Sequence, residues 1–337
     1  PNTAKFKGNV HPHSLITNRI KEAVGKGYEF LRKEHIVDYQ YFFNRVDLQL
    51  TDRIPAIPTD KLLSQYRSGK HDTYLEELFF QYGRYLLIAS SRNGSLPANL
   101  QGVWTQYDFS PWSGGYWHNI NIQMNYWHVF NTNLSELFNP YMEYNETFRK
   151  AGVQKAIDYI TRHNPTALNP INEENGWTIG TGATAFNIEA PGGHSGPGTG
   201  GFTTKLFWDY YDFTRDTQLL KEHVYPALLG ISKFLSKTLK EQPDGTLLVD
   251  PSFSPEQKHN KQYYRTKGCI FDQSMILETY QDLLKAAKIL NSRDPFLKTV
   301  KEQIGKLDAI KIGESGQIKE FREETKYGEI GEYIVQA

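Results

Sequence analysis

The sequence is poor in cysteine, since Cys269 is the only one in 337 residues. An intramolecular disulfide is therefore excluded. A lone cysteine without a matched histidine and asparagine pattern is far more often a packed apolar residue than a nucleophile. We expect Cys269 to lie in the core.

An excess of charge of either sign is also missing, because 38 Lys and Arg residues balance 38 Asp and Glu residues. Nucleic acids and anionic membranes both attract basic proteins, so neither is an expected partner. An uncharged or small ligand is favoured instead. No run of 18 apolar residues occurs, so no membrane-spanning helix is predicted. The chain begins at Pro1 without an apolar signal core, and we expect a trimmed or processed piece.

Hydrophobic residues make up 39% of the chain and aromatic residues 14%. A chain of this size buries a large core, in one big domain or two ordinary ones. Apolar residues recur at helical spacing in several segments. The clearest predicts a helix over about 74–90 with one apolar face, made of Leu75, Leu78, Phe79, Tyr82, Leu86 and Ala89.

Two more helices are predicted over 216–240 and around 276–290. Weaker patterns lie at 16–32, 59–66, 121–134, 141–161, 203–213 and 295–307. Together they give about nine helices, which predicts an all-α protein. One short strand is expected at TLLVD, directly after the turn Pro-Asp-Gly at 243–245.

Long loops connect these helices at 91–116, 164–201 and 242–268. Ordered loops of this length in a compact helical domain are usually functional. The stretch GGHSGPGTGG in the second loop resembles a phosphate-binding loop only superficially. It lacks the Gly-Lys-Ser/Thr ending and no strand precedes it, so phosphate binding is not favoured.

The stretch WHNINIQMNYW, residues 117–127, combines aromatic rings and amides and contains no Asp, Glu, Lys or Arg. Aromatic faces pack on the C–H patches of sugars, and amides bind their hydroxyls. Four of the six tryptophans lie between positions 104 and 127, namely Trp104, Trp112, Trp117 and Trp127. This concentration indicates a carbohydrate site, although Tyr126 and Trp127 fit a core role equally well.

Asn119 and Asn121 are two positions apart, so they diverge on a helix and face the same way in an extended stretch. An amide can hold a water molecule but cannot take its proton, so a carboxylate must serve as the base. The pattern alone favours other roles: an N-cap for Asn119 and a buried, satisfied amide for Asn121.

Glu256 follows Pro251-Ser252-Phe253-Ser254-Pro255, where two prolines restrict the backbone. Such a turn can hold a carboxyl group in a fixed direction at the mouth of a cavity. A carboxyl group kept protonated by its surroundings can donate a proton to a leaving oxygen. By pattern alone, however, most glutamates are solvated surface groups.

A series of motifs, in order along nearly the whole chain, resembles glycoside hydrolase family 95, the inverting α-L-fucosidases and α-L-galactosidases. The motifs are FFNRVDLQL, PTDKLL, FFQYGRYLLIASSRNGSLPANLQGVW, NINIQMNYW, NLSELF, FWDYYDFT and PSFSPEQ. The resemblance implies an (α/α)6 toroid that this chain covers only in its larger part. It also implies that residues 1–50 are a linker helix region, with a β-sandwich and a C-terminal β domain absent from this chain.

Carried over by motif, Glu256 matches the general acid, and Asn119 and Asn121 match the amides that position the attacking water. Trp104, Trp112, Trp117 and His118 are then expected to contact the substrate. The resemblance implies exo-acting removal of a terminal α-L-fucosyl or α-L-galactosyl residue from a glycan, with inversion. It implies no metal, no cofactor and a periplasmic or secreted location.

Two positions depart from the family pattern. The family's base, an Asp before Gly-Asn-Phe-Gly, has no counterpart, so we expect the chain to stop before its base. Trp117 stands where fucosidases carry His and galactosidases tend to carry Thr, and it lies two residues before Asn119. Two other functions therefore remain open: a catalytically silent glycan-binding module, and an interaction scaffold without affinity for sugars.

Overall fold

The computed structural model describes residues 12–184, 187–326 and 328–331, and they are mostly helical. The helices are α1 (Pro12–Lys26), α2 (Tyr28–Phe43), α3 (Thr59–Arg67), α4 (Thr73–Ser90), α5 (Asn121–Tyr126), α6 (Asn139–His163), α7 (Thr199–Thr214), α8 (Thr217–Leu219), α9 (Tyr225–Ser236), α10 (Ile270–Ile289) and α11 (Phe296–Ile304). The strands β1 (Leu239–Glu241), β2 (Leu247–Val249), β3 (Lys258–His259) and β4 (Gln262–Tyr263) form two short antiparallel pairs.

The core lies where α10 packs against α7 and α9, and where α7 packs against α9. Ile276, Tyr280 and Leu283 of α10 are fully buried, which confirms the apolar face predicted there. Cys269, directly before α10, is also fully buried, as expected. The all-α prediction is confirmed, and the layered helices are consistent with part of an (α/α)6 toroid.

Helix α4 forms where it was predicted, but the predicted apolar face is not its buried face. Phe79 is 78% exposed and Tyr82 is 53% exposed, whereas Leu87 and Ile88 are buried. The reason is Arg84, which is fully buried. Its guanidinium donates hydrogen bonds to the carbonyl oxygens of residues 42, 43 and 46 at 3.0–3.1 Å. These bonds hold the face of α4 that carries Arg84 towards α2.

The helix predicted over 216–240 is wrong as a single element. It divides into α8, a π-helical turn at Leu220–Val224, and α9, and the chain then enters β1. Pro226 lacks the N–H that an α-helix needs at that position, which explains the wider turn before it. Leu239 therefore lies on β1, where it pairs with Val249 of β2, and the strand predicted at TLLVD is confirmed.

Two weaker helix predictions also need new bounds. The segment 16–32 spans two helices, because Gly27 adopts φ 75° between α1 and α2, a conformation that favours glycine. The segment 121–134 is α-helical only over α5 and continues as turns. The linker role of residues 1–50 stays a prediction. Within the described residues, no helix is both long enough and apolar enough to cross a membrane.

Candidate active site

A cavity of about 520 Å³ lies where the three long loops approach one another. It brings together five of the predicted site residues. The described residues that line it are Leu100, Trp112, Trp117, Asn119, Ile120, Asn121, Met124, His194, Pro255 and Glu256. Glu256 is the only carboxylate among these lining residues, and its side chain is 46% exposed at the cavity mouth.

Asn119 contacts the predicted acid directly. Its Nδ2 donates a hydrogen bond to Glu256 Oε1 at 3.0 Å, and Asn119 itself is only 3% exposed. Asn119 Oδ1 is buried and has no hydrogen-bond partner among the described residues. The alternative role as an N-cap does not apply, since Ile120 occupies the cap position of α5 and no side chain caps it.

Asn121 occupies the first position of α5 and is half-buried at the cavity wall. No hydrogen bond joins its side chain to the residues that the structure describes, so its amide is not committed to the fold. The alternative role of a buried, satisfied amide therefore does not apply to Asn121. Its amide is placed to bind a water molecule or a sugar hydroxyl.

His118 lies outside the cavity, which contradicts its predicted contact with substrate. The residue is fully buried, its Nδ1 lies 3.1 Å from Thr203 Oγ1, and its ring stacks on Tyr144. Burial lowers the pKa of His118 to about 3, so the ring is neutral. Alternation along the backbone explains this placement, because Trp117 and Asn119 face the cavity and the residue between them faces the core.

The four tryptophans between positions 104 and 127 lie in different surroundings. Trp112 and Trp117 line the cavity that contains Glu256. Trp104 instead lines a neighbouring cavity of about 630 Å³, which shares Leu100 and Met124 with the first. Trp127 is 48% exposed and outside both cavities. Tyr126 is fully buried, so it belongs to the core.

Trp112 has an unusual backbone as well as an exposed ring. The side chain is 71% exposed, and residues 112–114 all have positive φ angles between 49° and 57°. A bulky residue seldom adopts this left-handed conformation. The turn therefore presents the indole at the cavity edge instead of burying it.

His194 is a site residue that the sequence reasoning missed. Its Nδ1 lies 4.0 Å from Glu256 Oε1, and its Nε2 lies 2.9 Å from the Tyr263 hydroxyl. The sequence indicated this residue only as a single histidine inside a glycine-rich loop. The adjacent Gly193 is required there, since a Cβ atom would lie 2.5 Å from the Tyr263 ring.

No group of three or more His, Cys, Asp or Glu side chains among the described residues is arranged to hold a metal ion. The polar and aromatic groups that line the cavity are one carboxyl group, two amides, one histidine ring and two indoles.

Comparison with known proteins gives this cavity a context. Residues 27–332 match the glycosyl hydrolase family 95 catalytic domain. The chain is 36% identical over 326 residues to the probable alpha-fucosidase A of Aspergillus niger, covering 94% of this chain and 40% of that protein. It is 30% identical over 347 residues to alpha-L-fucosidase 2 of Arabidopsis thaliana, covering 98% of this chain and 40% of that protein.

Among solved structures, a putative kojibiose phosphorylase from human microbiome is similar at a TM-score of 0.44 and 12% identity, over 70% of this chain and 34% of that one. The chain spans about 40% of the length of the two fucosidases. Because the family match covers most of the sequence, the chain belongs to glycosyl hydrolase family 95.

Proposed function

We propose that this chain contributes the acid side of an exo-acting, inverting glycoside hydrolase that removes a terminal α-L-fucosyl residue, or a related α-L-galactosyl residue, from glycans. The observation that carries the proposal is Glu256, a carboxyl group at the mouth of a cavity lined by indoles and amides and held there by Asn119. Two relatives named as fucosidases support the choice of sugar.

In the proposed reaction, Glu256 donates its proton to the glycosidic oxygen as the bond between that oxygen and the anomeric carbon breaks. A water molecule attacks the anomeric carbon from the opposite face and gives its own proton to a base. The Asn121 amide oxygen accepts a hydrogen bond from this water and orients it. In inverting enzymes the two carboxyl groups stand about 6.5 to 9.5 Å apart, so that the water fits between them.

The base is expected from another part of the polypeptide, since Glu256 is the only carboxylate among the described lining residues. Trp112 and Trp117 provide apolar faces for the C–H patches and the C5 methyl group of a fucosyl unit. Among the described residues that line the cavity, Glu256 is the only acidic one and none is Lys or Arg. A neutral sugar suits such surroundings better than an anionic one.

The test uses the protein expressed from its whole reading frame, with a 2-linked fucosyl oligosaccharide and the 4-nitrophenyl α-L-fucoside and α-L-galactoside. Glu256→Gln should lower kcat on the oligosaccharide on the order of 10² to 10⁴-fold, because the sugar leaving group needs a proton. Proton NMR at early times should detect the β-anomer of the released sugar. Equal rates for parent and variant would refute the assignment of the acid, and release of the α-anomer would refute inversion.

A glycan-binding module without activity is the second candidate, favoured by the single carboxylate in the cavity. It predicts that the parent and Glu256→Gln bind the oligosaccharide equally in calorimetry and that neither hydrolyses it. A scaffold role predicts no heat of binding at all. The three functions are thus separated by one pair of proteins and two assays.

A further inference from the structure

We propose that two buried carboxylates, Asp272 and Glu320, are positioning residues that hold the segment 251–257 at Ser252 and at Ser254 and so fix the direction in which Glu256 delivers its proton. This inference rests on the proposed function, since it concerns the same acid. It assigns a role to polar contacts made by residues that are not among those lining the cavity.

The segment around Glu256 is polar but largely closed to solvent. Ser252 is fully buried and Ser254 and Gln257 are each 2% exposed, whereas the Glu256 side chain between them is 46% exposed. Buried hydroxyl groups require partners inside the protein. Ser252 Oγ contacts Asp272 as well as Cys269, and Ser254 Oγ donates to Glu320.

Asp272 holds the first half of the segment. This residue lies in the first turn of α10 and is fully buried. Its Oδ2 accepts hydrogen bonds from Ser252 Oγ at 2.6 Å and from the Phe253 backbone N–H at 3.2 Å. Hydrogen bonds to a charged acceptor in a closed environment are short and strongly directional. The backbone three residues before Glu256 is therefore fixed to the end of a long core helix.

The same carboxylate also fixes the loop that carries His194. Asp272 Oδ1 accepts from the Gly198 backbone N–H at 2.7 Å, and Gly196 N–H donates to the Phe253 carbonyl at 2.9 Å. A Cβ atom on Gly196 would lie 2.1 Å from Asp272 Oδ2, so only glycine permits this approach. One buried side chain thus joins two loops that meet at the cavity.

Glu320 holds the second half of the segment. It is 8% exposed, and its Oε1 accepts from Ser254 Oγ at 2.5 Å. Its backbone carbonyl accepts from Ile270 N–H at 3.0 Å, which ties it to the start of α10. Ser252, bound to Asp272, and Ser254, bound to Glu320, lie four and two residues before Glu256, and both carboxylates are attached to the same end of one helix.

We expect a loss of kcat that depends on the leaving group of the substrate. Fluoride leaves without a proton, whereas a sugar alkoxide needs one. A misplaced acid should therefore slow cleavage of the oligosaccharide and not of the fluoride. Ser252→Ala and Ser254→Ala each remove one hydroxyl and with it one hydrogen bond between the segment and a buried carboxylate, and Asp272→Asn weakens the first attachment. Each should lower kcat on the fucosyl oligosaccharide about 10-fold or more and change kcat on α-L-fucosyl fluoride less than about 2-fold, because small displacements of a catalytic group are costly.

Two controls are matched to these variants. Ser232 is a fully buried serine on α9 whose hydroxyl has no hydrogen-bond partner among the described residues, so Ser232→Ala tests the cost of an ordinary buried deletion. Asp282 is a 3% exposed carboxylate elsewhere on α10, bound to Lys285, and Asp282→Asn tests loss of a buried charge on that helix. Both should retain parental kcat on both substrates.

The outcomes separate this inference from the proposed function. If the parent cleaves neither substrate, the proposed function fails. If Glu256→Gln loses only oligosaccharide hydrolysis while the serine variants keep parental rates, the positioning inference fails alone. It also fails if the serine variants lose equally on both substrates, since that is a general structural effect. Should Asp272→Asn not fold, the two serine variants decide the matter.

Discussion

Asn119 Nδ2 donates a hydrogen bond to Glu256 Oε1 at 3.0 Å, joining residues 137 positions apart in the sequence. The second amide atom, Asn119 Oδ1, is buried within the protein. In the proposed mechanism Asn119 acts on the carboxyl group of Glu256, whereas the half-buried Asn121 is the amide available to water. We infer that the two asparagines of the NIN motif have separable roles.

This separation predicts different losses for two alanine variants. Asn119→Ala leaves Glu256 without its amide partner, so kcat should fall about 10-fold or more on the fucosyl oligosaccharide and little on α-L-fucosyl fluoride. Asn121→Ala impairs the attacking water, which both substrates need, so kcat should fall on both. Steady-state kinetics with the two substrates makes the comparison. Identical loss patterns for both variants would contradict separate roles.

The central residues of this site follow from sequence motifs, whereas their surroundings do not. Asn119, Asn121 and Glu256 were assigned roles through motifs that resemble a known family, because their residue types alone favoured other roles, and the structure places all three at one cavity. His194 was missed because no periodicity records the path of a glycine-rich loop. His118 was misplaced because the direction of a side chain depends on whether the backbone is extended or helical at that point.

The fold shows the same limit. Periodicity located α4 and α10 because apolar spacing reports a helix directly. It did not predict which face of α4 is buried. That face carries Arg84, whose hydrogen bonds to backbone carbonyls do not appear in a pattern of apolar residues. It also merged α8 with α9 across a π-helical turn, because side chains on either side of Pro226 remain apolar at similar spacing.

Arg84 provides a test of that orientation. Arg84→Met removes the guanidinium donors to the carbonyls of residues 42, 43 and 46, which lie in partly buried surroundings. The free energy of unfolding should fall by about 1.5 to 3 kcal/mol, as is usual for the loss of hydrogen bonds to a charged group. Urea unfolding measures the change. Arg67→Met on the exposed end of α3 is the control and should shift the midpoint little; an equal shift would contradict a structural role for Arg84.

Trp117 tests the choice of sugar. The indole lines the cavity two residues before Asn119, and its Nε1 is buried without a partner among the described residues. Trp117→His should raise the ratio of kcat/KM for the α-L-fucoside to that for the α-L-galactoside, if residue 117 contacts the C5 substituent. One changed contact is typically worth about 10-fold in such a ratio. Trp127→His, outside the cavity, is the control, and an unchanged ratio in Trp117→His would remove Trp117 from the specificity site.

Asp272 makes the stability of the protein depend on pH in a direction opposite to that of a salt-bridged carboxylate. Burial raises the pKa of Asp272 to about 6, against 3.8 for the free side chain. The folded state therefore binds the proton more tightly than the unfolded state between these values. The stabilising contribution is complete below about pH 4 and is lost as pH rises through about 6, by an amount on the order of 3 kcal/mol.

Asp272→Asn removes this titration, so its thermal midpoint should decline less than that of the parent between pH 4 and pH 7. Differential scanning calorimetry at matched ionic strength measures both slopes. Ser232→Ala, a buried substitution without a titratable group, should keep the parental slope whatever its absolute midpoint. Parallel curves for parent and Asp272→Asn would mean that Asp272 ionises with an ordinary pKa in the folded protein. The hydrogen bonds that Asp272 accepts, including those from Ser252 Oγ and the Phe253 N–H, would then offset the effect of burial on its pKa.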